Sequence, residues 1–426
     1  MKNIGESKPL VSVWCATYNH APYIKNALEG FLLQKTTFQV EVIIHDDAST
    51  DGTTEILRKY EEKYPEFFKV IYREENTYHS PNRVKEITAL KKQYLRGKYV
   101  AICEGDDYWT CSNKLQMQVD YMEEHYDCMM TVHNAQKLDF LKNEMQIMKP
   151  FSKSGIIDAE HIILQRNGII PTASYVVRKD VYYLEEFFSE TGIGDWPLQL
   201  NAITKGYVYY FDEPMSVYRY MHVGSWSKRT YANGKENEIH CLKMCVFLLK
   251  YNAYTKYKYD KWIVARQNRF IGTLVAIYRE LGKKDYYDIC KFFQGSVDEY
   301  SKAYISKINK LVEQVINLNF ESRVVLEYCK RGKPLIVWGT GQYAEKCVKV
   351  LEQNKIDILG FLVTKKDEDK NTFMGKVVWD VDDFPYEFQN VNILIAVGIF
   401  AWSEVLLKLD DMGIKNYYSP FIIDIK

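Results

Sequence analysis

Apolar and polar positions change rhythm three times along the chain. Over residues 10–103, short apolar runs alternate with amphipathic stretches. Runs at 10–15, 40–45, 68–72 and 99–103 read as buried strands. The intervening stretches at 22–34, 53–63 and 83–95 repeat apolar residues every three or four positions and read as helices. Pro22 sits near the start of one helix, and Gly97 stops another. Strand–helix alternation of this kind predicts a mostly parallel sheet covered on both faces. From 109 the pattern is mixed, with strands expected at 129–133, 174–177 and 208–211.

From Gly234 to about Lys330 the chain has no Pro and little two-residue alternation, which predicts long helices. After Arg331-Gly332-Lys333-Pro334 the first rhythm returns. Strands are expected at 335–338, 358–363 and 391–397, with helices at 342–353 and 402–411. The predicted organisation is an α/β domain over 1–232, a helical connector over 233–332 and a small Rossmann-like α/β domain over 333–426.

Composition removes several classes. The 426 residues are 47% hydrophobic and 26% charged, which excludes wholesale disorder. Lys+Arg and Asp+Glu both number 56, so no global attraction to nucleic acid is expected. Nine Cys without a CxxC pair read as free thiols of a reducing compartment. No apolar run approaches the roughly 18 residues of a membrane span. None follows Met1 as a leader, so the expected location is the cytoplasm. The 34 Tyr suit stacking on sugars and bases. The Tyr-rich, basic stretch 250–284 reads as a solvated connector and leaves a peripheral membrane contact open; a homo-oligomer is left open for the chain as a whole.

Three polar clusters fall at the carboxyl ends of predicted strands, where open α/β sheets bind ligands. They are Ala16-Thr17-Tyr18-Asn19-His20, His45-Asp46-Asp47-Ala48-Ser49-Thr50-Asp51-Gly52-Thr53, and Glu104-Gly105-Asp106-Asp107-Tyr108-Trp109. Ser49 or Asp51 could simply cap the next helix, but capping does not require Asp46 and Asp47 as well. The last cluster sets three carboxylates within four residues. Their repulsion is relieved by a divalent cation, and Mg²⁺ takes one or two carboxylates together with substrate phosphates.

In order and spacing, these blocks resemble the family-two, GT-A-fold glycosyltransferases, over roughly the first 230 residues. The resemblance implies that Ala16 and Tyr18 flank a nucleotide base, with Asp46 and Asp47 at the nucleotide. It sets Glu104 and Asp106 on ribose or sugar, and Asp107 on Mg²⁺ or Mn²⁺ bridging a diphosphate. Glu104 stands where relatives often have Asp, and Ala16 where a hydroxyl residue is common. Thr191-Gly192-Ile193-Gly194-Asp195-Trp196-Pro197 resembles the general-base segment, which makes Asp195 the base and sets Trp196 on substrate. Gly194 departs from the acid usual before that base. Arg178 is a candidate for the diphosphate, and His222 resembles a metal-binding His in a later flexible segment.

The implied function is an inverting, metal-dependent transfer from a nucleoside diphosphate sugar to a glycan or polyprenyl-linked acceptor, in bacterial surface-polysaccharide synthesis. The alternative is a nucleotide-sugar-binding or NAD(P)-dependent protein using Gly339-Thr340-Gly341-Gln342-Tyr343-Ala344. The acid expected after the next strand is missing at Leu362-Val363-Thr364-Lys365-Lys366, which counts against NAD.

Overall fold

The computed structural model describes residues 8–78, 80, 82–165, 170–191, 193–222, 225, 228, 234–281, 299–316, 323–366 and 371–419. The chain forms two compact units, which meet between Asn237 and Glu238.

In the first unit the elements are β1 (Val11–Thr17), α1 (Ile24–Leu32), β2 (Val40–Asp46), α2 (Thr53–Lys63), β3 (Phe68–Tyr72), α3 (Arg83–Tyr94), β4 (Tyr99–Ile102), β5 (Tyr108–Trp109), α4 (Lys114–Glu124), β6 (Cys128–Asp139), β7 (Glu144–Met148), β8 (Gly155–Ile157), α5 (Ala159–Leu164), β9 (Val176–Arg178), α6 (Lys179–Tyr182), α7 (Asp195–Lys205) and β10 (Tyr207–Tyr220). They build a ten-stranded sheet in the order β3-β2-β1-β4-β9-β6-β10-β5, with β7 on β6 and β8 on β10. The half formed by β3, β2, β1 and β4 is parallel, as the alternation predicts. Beyond it β9 runs antiparallel to both neighbours, while β6 and β10 pair in parallel.

The apolar runs explain the parallel half. Val11, Val13 and Cys15 of β1 project to one side and are buried with Ile24, Leu28 and Phe31 of α1 and Leu57 of α2. The mixed half was less legible. β10 spans 14 residues where four were expected, because a register irregularity between Phe211 and Ser216 carries the strand past Glu213-Pro214. That extension brings Arg219 and the following His222 to the acidic loop after β4.

In the second unit the elements are α8 (Gly234–Tyr254), α9 (Asp260–Leu281), α10 (Glu299–Ile316), α11 (Arg323–Cys329), β11 (Leu335–Trp338), α12 (Gln342–Gln353), β12 (Gly360–Val363), β13 (Thr372–Phe373), β14 (Lys376–Asp380), β15 (Asn392–Ile395), α13 (Ile399–Asp411) and β16 (Tyr417–Tyr418). The sheet order is β13-β14-β12-β11-β15-β16, parallel except for β13. Cys245, Ile271, Leu274, Tyr304 and Ile308 of the long helices share one core with Ile336, Leu362 and Ile393 of this sheet. Their apolar sides are therefore buried against it. No described helix is long and apolar enough to cross a membrane. Lys283 and Lys284, at the end of the basic stretch, lie outside the described residues.

Candidate active site

Strands β2, β1 and β4 are neighbours, so the three polar loops at their carboxyl ends lie side by side. The first two are stitched together. Asn19 takes a left-handed backbone (φ 54°), and its N–H donates to Ser49 Oγ at 2.9 Å. Its side-chain oxygen accepts the Thr50 N–H at 2.8 Å. The N–H groups of His20 and Ala21 donate to Thr53 Oγ1 and Asp51 Oδ2.

Asp46 is spent on this scaffold. It is 1% exposed; Oδ1 accepts the Ser49 N–H and hydroxyl, and Oδ2 accepts the Thr54 hydroxyl at 2.6 Å. The expected substrate contact at Asp46 is therefore replaced by loop fastening. Asp47 accepts the Thr77 N–H and hydroxyl on Oδ1 alone, and Oδ2 takes no hydrogen bond from the described residues. Tyr18 is exposed at the rim. Ala16 is half-buried, and its carbonyl accepts the Gly105 N–H at 2.9 Å, joining the first and third loops.

Gly105 is required at that junction. A Cβ there would fall 2.7 Å from Thr17 Oγ1 and 2.9 Å from Ile24 Cδ1. The tight turn sends the two following carboxylates in different directions. Asp107 points inward, is 2% exposed, and accepts the Arg219 N–H on Oδ1 at 2.8 Å. The Arg219 guanidinium donates to the Asp106 carbonyl and to Asn26 Oδ1, and lies over the rings of Tyr23 and Tyr108. Asp106 faces the two histidines. Its Oδ2 is 2.9 Å from His222 Nε2 and 3.8 Å from His20 Nε2. Tyr23 and Phe140 meet the His222 ring edge-on, at 4.9 and 6.0 Å between centroids.

Asp106 Oδ1, Thr17 Oγ1 and His20 Nδ1 are buried and have no partner among the described residues. A buried carboxylate oxygen without a donor is costly, and a bound cation or a ligand hydroxyl would satisfy it. One carboxylate with one imidazole fits a divalent cation that draws its remaining ligands from water and phosphate. Among the described residues no group of three His, Cys, Asp or Glu is arranged to hold an ion without such help. The pair that fits is Asp106 with His222, rather than the expected Asp107 with His222.

The electrostatics separate the acids. Burial raises the Asp106 carboxyl, but the His222 hydrogen bond and the two histidines more than offset this and bring it below its usual value. Burial and repulsion from Asp106 push Asp107 well up. Glu104 is pushed up to about 8 by desolvation, then by repulsion from Asp106 and Asp195. Its side chain is nevertheless exposed, so water reaches it and the mutual repulsion is the firmer cause. Asp195 is the first residue of α7; desolvation raises its carboxyl above the ordinary range. Glu104 feels the charge of Asp195, which sets the base candidate on the side of the acidic loop.

Two expected residues face elsewhere. Arg178 spends its guanidinium on the carbonyls of Cys128, Met122 and His125, fastening β9 to the start of β6. Trp196 is 2% exposed, and its indole N–H donates to the Ile162 carbonyl at 2.7 Å, so it belongs to the core. The cations that do feel Glu104 are Arg83 and Lys91 of α3, which sequence reasoning passed over. Their eight-residue spacing on one helical face was the available signal.

In the second unit, Gly339 has φ 124°, and a Cβ there would meet the Ala396 carbonyl at 2.8 Å. The glycine thus serves the close approach of two turns. Asp380, at the end of β14, accepts the N–H groups of Lys366 and Asp382, one on each oxygen. Asp380 is thereby committed to this turn.

Residues 12–181 match the family model described as glycosyl transferase family 2. An uncharacterized protein of Mycobacterium tuberculosis is 35% identical over 218 residues, covering 51% of this chain and 60% of the relative. The Escherichia coli UDP-Glc:alpha-D-GlcNAc-diphosphoundecaprenol beta-1,3-glucosyltransferase WfaP is 26% identical, covering 51% of this chain and 80% of WfaP. The chain thus spans about 60% of the length of the mycobacterial relative it matches. Among solved structures, S. aureus TarS 1-349 in complex with UDP aligns with a TM-score of 0.45 at 16% identity, covering 86% of this chain and 99% of TarS 1-349.

Proposed function

We propose, from the match of residues 12–181 to the family model described as glycosyl transferase family 2, that the chain transfers a sugar from a nucleoside diphosphate sugar to a hydroxyl group. The acceptor is a glycan or a polyprenyl-linked glycan of bacterial surface-polysaccharide synthesis. The reading is carried by one observation: among the described residues, Asp106 leaves a buried oxygen without a partner beside His222.

In this mechanism Ala16, Tyr18 and Asp47 receive the nucleotide at the ends of β1 and β2. Asp47 Oδ2 accepts a hydrogen bond from the base. Asp106, with His222, would hold a divalent cation, Mg²⁺ or Mn²⁺, which would supply positive charge to stabilise a departing diphosphate. Asp195, whose raised carboxyl suits proton transfer nearer neutral pH, accepts the proton of the acceptor hydroxyl as that oxygen attacks the anomeric carbon. Glycosyl transfer passes through an oxocarbenium-like state, and a single displacement from the opposite face inverts the anomeric configuration.

A thermal-shift screen of nucleoside diphosphate sugars with Mg²⁺ or Mn²⁺ tests the reading. One nucleotide series should stabilise the protein, and only with metal. Stabilisation by none of them would sink it.

A further inference from the structure

Arg219 lies near the end of β10, three residues before His222, and is buried. Its backbone N–H holds Asp107, but its guanidinium acts on other groups. One nitrogen donates to the Asp106 carbonyl and another to Asn26 Oδ1, at 2.9 Å. Neither acceptor is a carboxylate. The side chain therefore holds a peptide group of the acidic loop and ties it to α1. Two rings fix the plane of the guanidinium. Its carbon lies 4.6 Å from the Tyr108 ring centroid and 5.0 Å from that of Tyr23.

Tyr23 closes a circuit of contacts. Its ring also meets that of His222, with centroids 4.9 Å apart. His222 Nε2 lies 2.9 Å from Asp106 Oδ2, and the Asp106 carbonyl leads back to Arg219. Between Arg219 and His222, Met221 takes a left-handed backbone (φ 61°), which a residue other than glycine keeps only where its surroundings hold it. One residue thus fixes both acids by different groups. With Asp107 drawn inward by the N–H and the Asp106 peptide held by the guanidinium, the Asp106 carboxylate is left facing His222. The charge of Arg219 works the other way, since a guanidinium repels a cation bound at Asp106 and His222. Position and charge therefore predict opposite effects when the side chain is replaced.

We propose that Arg219 is a positioning residue, which through Tyr23 and the Asp106 peptide holds Asp106 and His222 together as ligands for a divalent cation. This rests on the transferase reading above. Lysine would not replace it, because an ammonium has neither the fork that reaches two acceptors nor the flat face that packs between two rings.

The test uses the full chain and its Arg219→Gln, Arg219→Lys and Asn26→Ala variants, with Mn²⁺ and UDP, GDP, CDP or dTDP. Calorimetry reads the affinity, and electron spin-echo spectroscopy of the bound Mn²⁺ reads its coupling to an imidazole nitrogen. Arg219→Gln keeps the backbone N–H on which Asp107 depends. For the diphosphate that binds the unaltered chain, Arg219→Gln and Arg219→Lys should each weaken Mn²⁺-dependent affinity about ten- to hundredfold, as for loss of a group that orients a metal ligand. The nitrogen coupling should weaken with it. Affinity that is unchanged or higher would leave only the charge of Arg219 and overturn the proposal. A loss of affinity with the nitrogen coupling intact would make Arg219 merely structural and overturn it too, as would a parent without such coupling. Asn26 is exposed, so Asn26→Ala frees one guanidinium nitrogen and spares the fold. It should give a smaller loss of the same kind, and it decides the matter if the Arg219 variants do not fold; no loss there would overturn the proposal. Failure of every diphosphate to bind the unaltered chain would instead overturn the transferase reading, and this inference with it.

Discussion

His222 Nε2 lies 2.9 Å from Asp106 Oδ2, whereas the neighbouring Asp107 turns away and accepts the Arg219 N–H at 2.8 Å. Adjacent carboxylates therefore have separate duties. Asp106→Asn should weaken metal-dependent nucleotide binding and leave the melting temperature close to that of the parent. Asp107→Ala should do the reverse, leaving a buried N–H unpaired at a cost of about 1–3 kcal/mol. For a domain of this size that lowers the melting temperature by roughly 2–4 °C per kcal/mol. Melting curves with paired titrations check this; a thermally silent Asp107→Ala that loses metal binding would reverse the assignment.

Asp195→Asn removes the proton acceptor without touching the nucleotide. We expect turnover to fall about 10²–10⁴-fold, with diphosphate affinity unchanged. In the parent, the acid limb of kcat/KM should lie above the ordinary carboxylate value of 3.8, because burial raises the Asp195 carboxyl. Steady-state rates from acid to neutral pH read this directly. A limb at or below the ordinary value would remove Asp195 as the base.

Glu104 makes stability depend on pH. Its folded-state value lies near 8, above the ordinary 4.5. Between those values the folded chain keeps a proton that the unfolded chain has released. Stability from this group is therefore full below pH 4.5 and is lost as pH rises toward 8. Glu104→Gln should abolish that loss, so its gain in melting temperature over the parent should be larger at pH 8 than at pH 5. Equal gains at both would contradict the repulsion among Glu104, Asp106 and Asp195.

Arg178→Met should destabilise the first unit, since the carbonyls of Cys128, Met122 and His125 lose their donor. It should leave the Michaelis constant for the donor unchanged. A raised Michaelis constant at unchanged stability would return Arg178 to the substrate.

Local pattern made the parallel half of the first sheet and the three polar loops readable. There each strand is a short apolar run, and each loop follows its carboxyl end. The long β6 and β10 were only partly visible, because Glu213 and Pro214 interrupt the alternation while the strand continues through an irregular register. The acidic block Glu104 to Asp107 was found, but the division between Asp106 and Asp107 depends on Arg219 and His222, over 100 residues later. Trp196 and Arg178 misled for a related reason. A motif position does not state which way its side chain turns, and the Ile162 and Cys128 carbonyls decide that here.

Manganese-dependent binding of a nucleoside diphosphate, compared between the parent and Asp106→Asn, tests the central claim most directly. The account predicts that calorimetry finds one diphosphate that binds the parent with Mn²⁺, loses most of its affinity when the metal is chelated, and shows no metal-dependent binding in Asp106→Asn. Metal-dependent binding that survives intact in Asp106→Asn would contradict it.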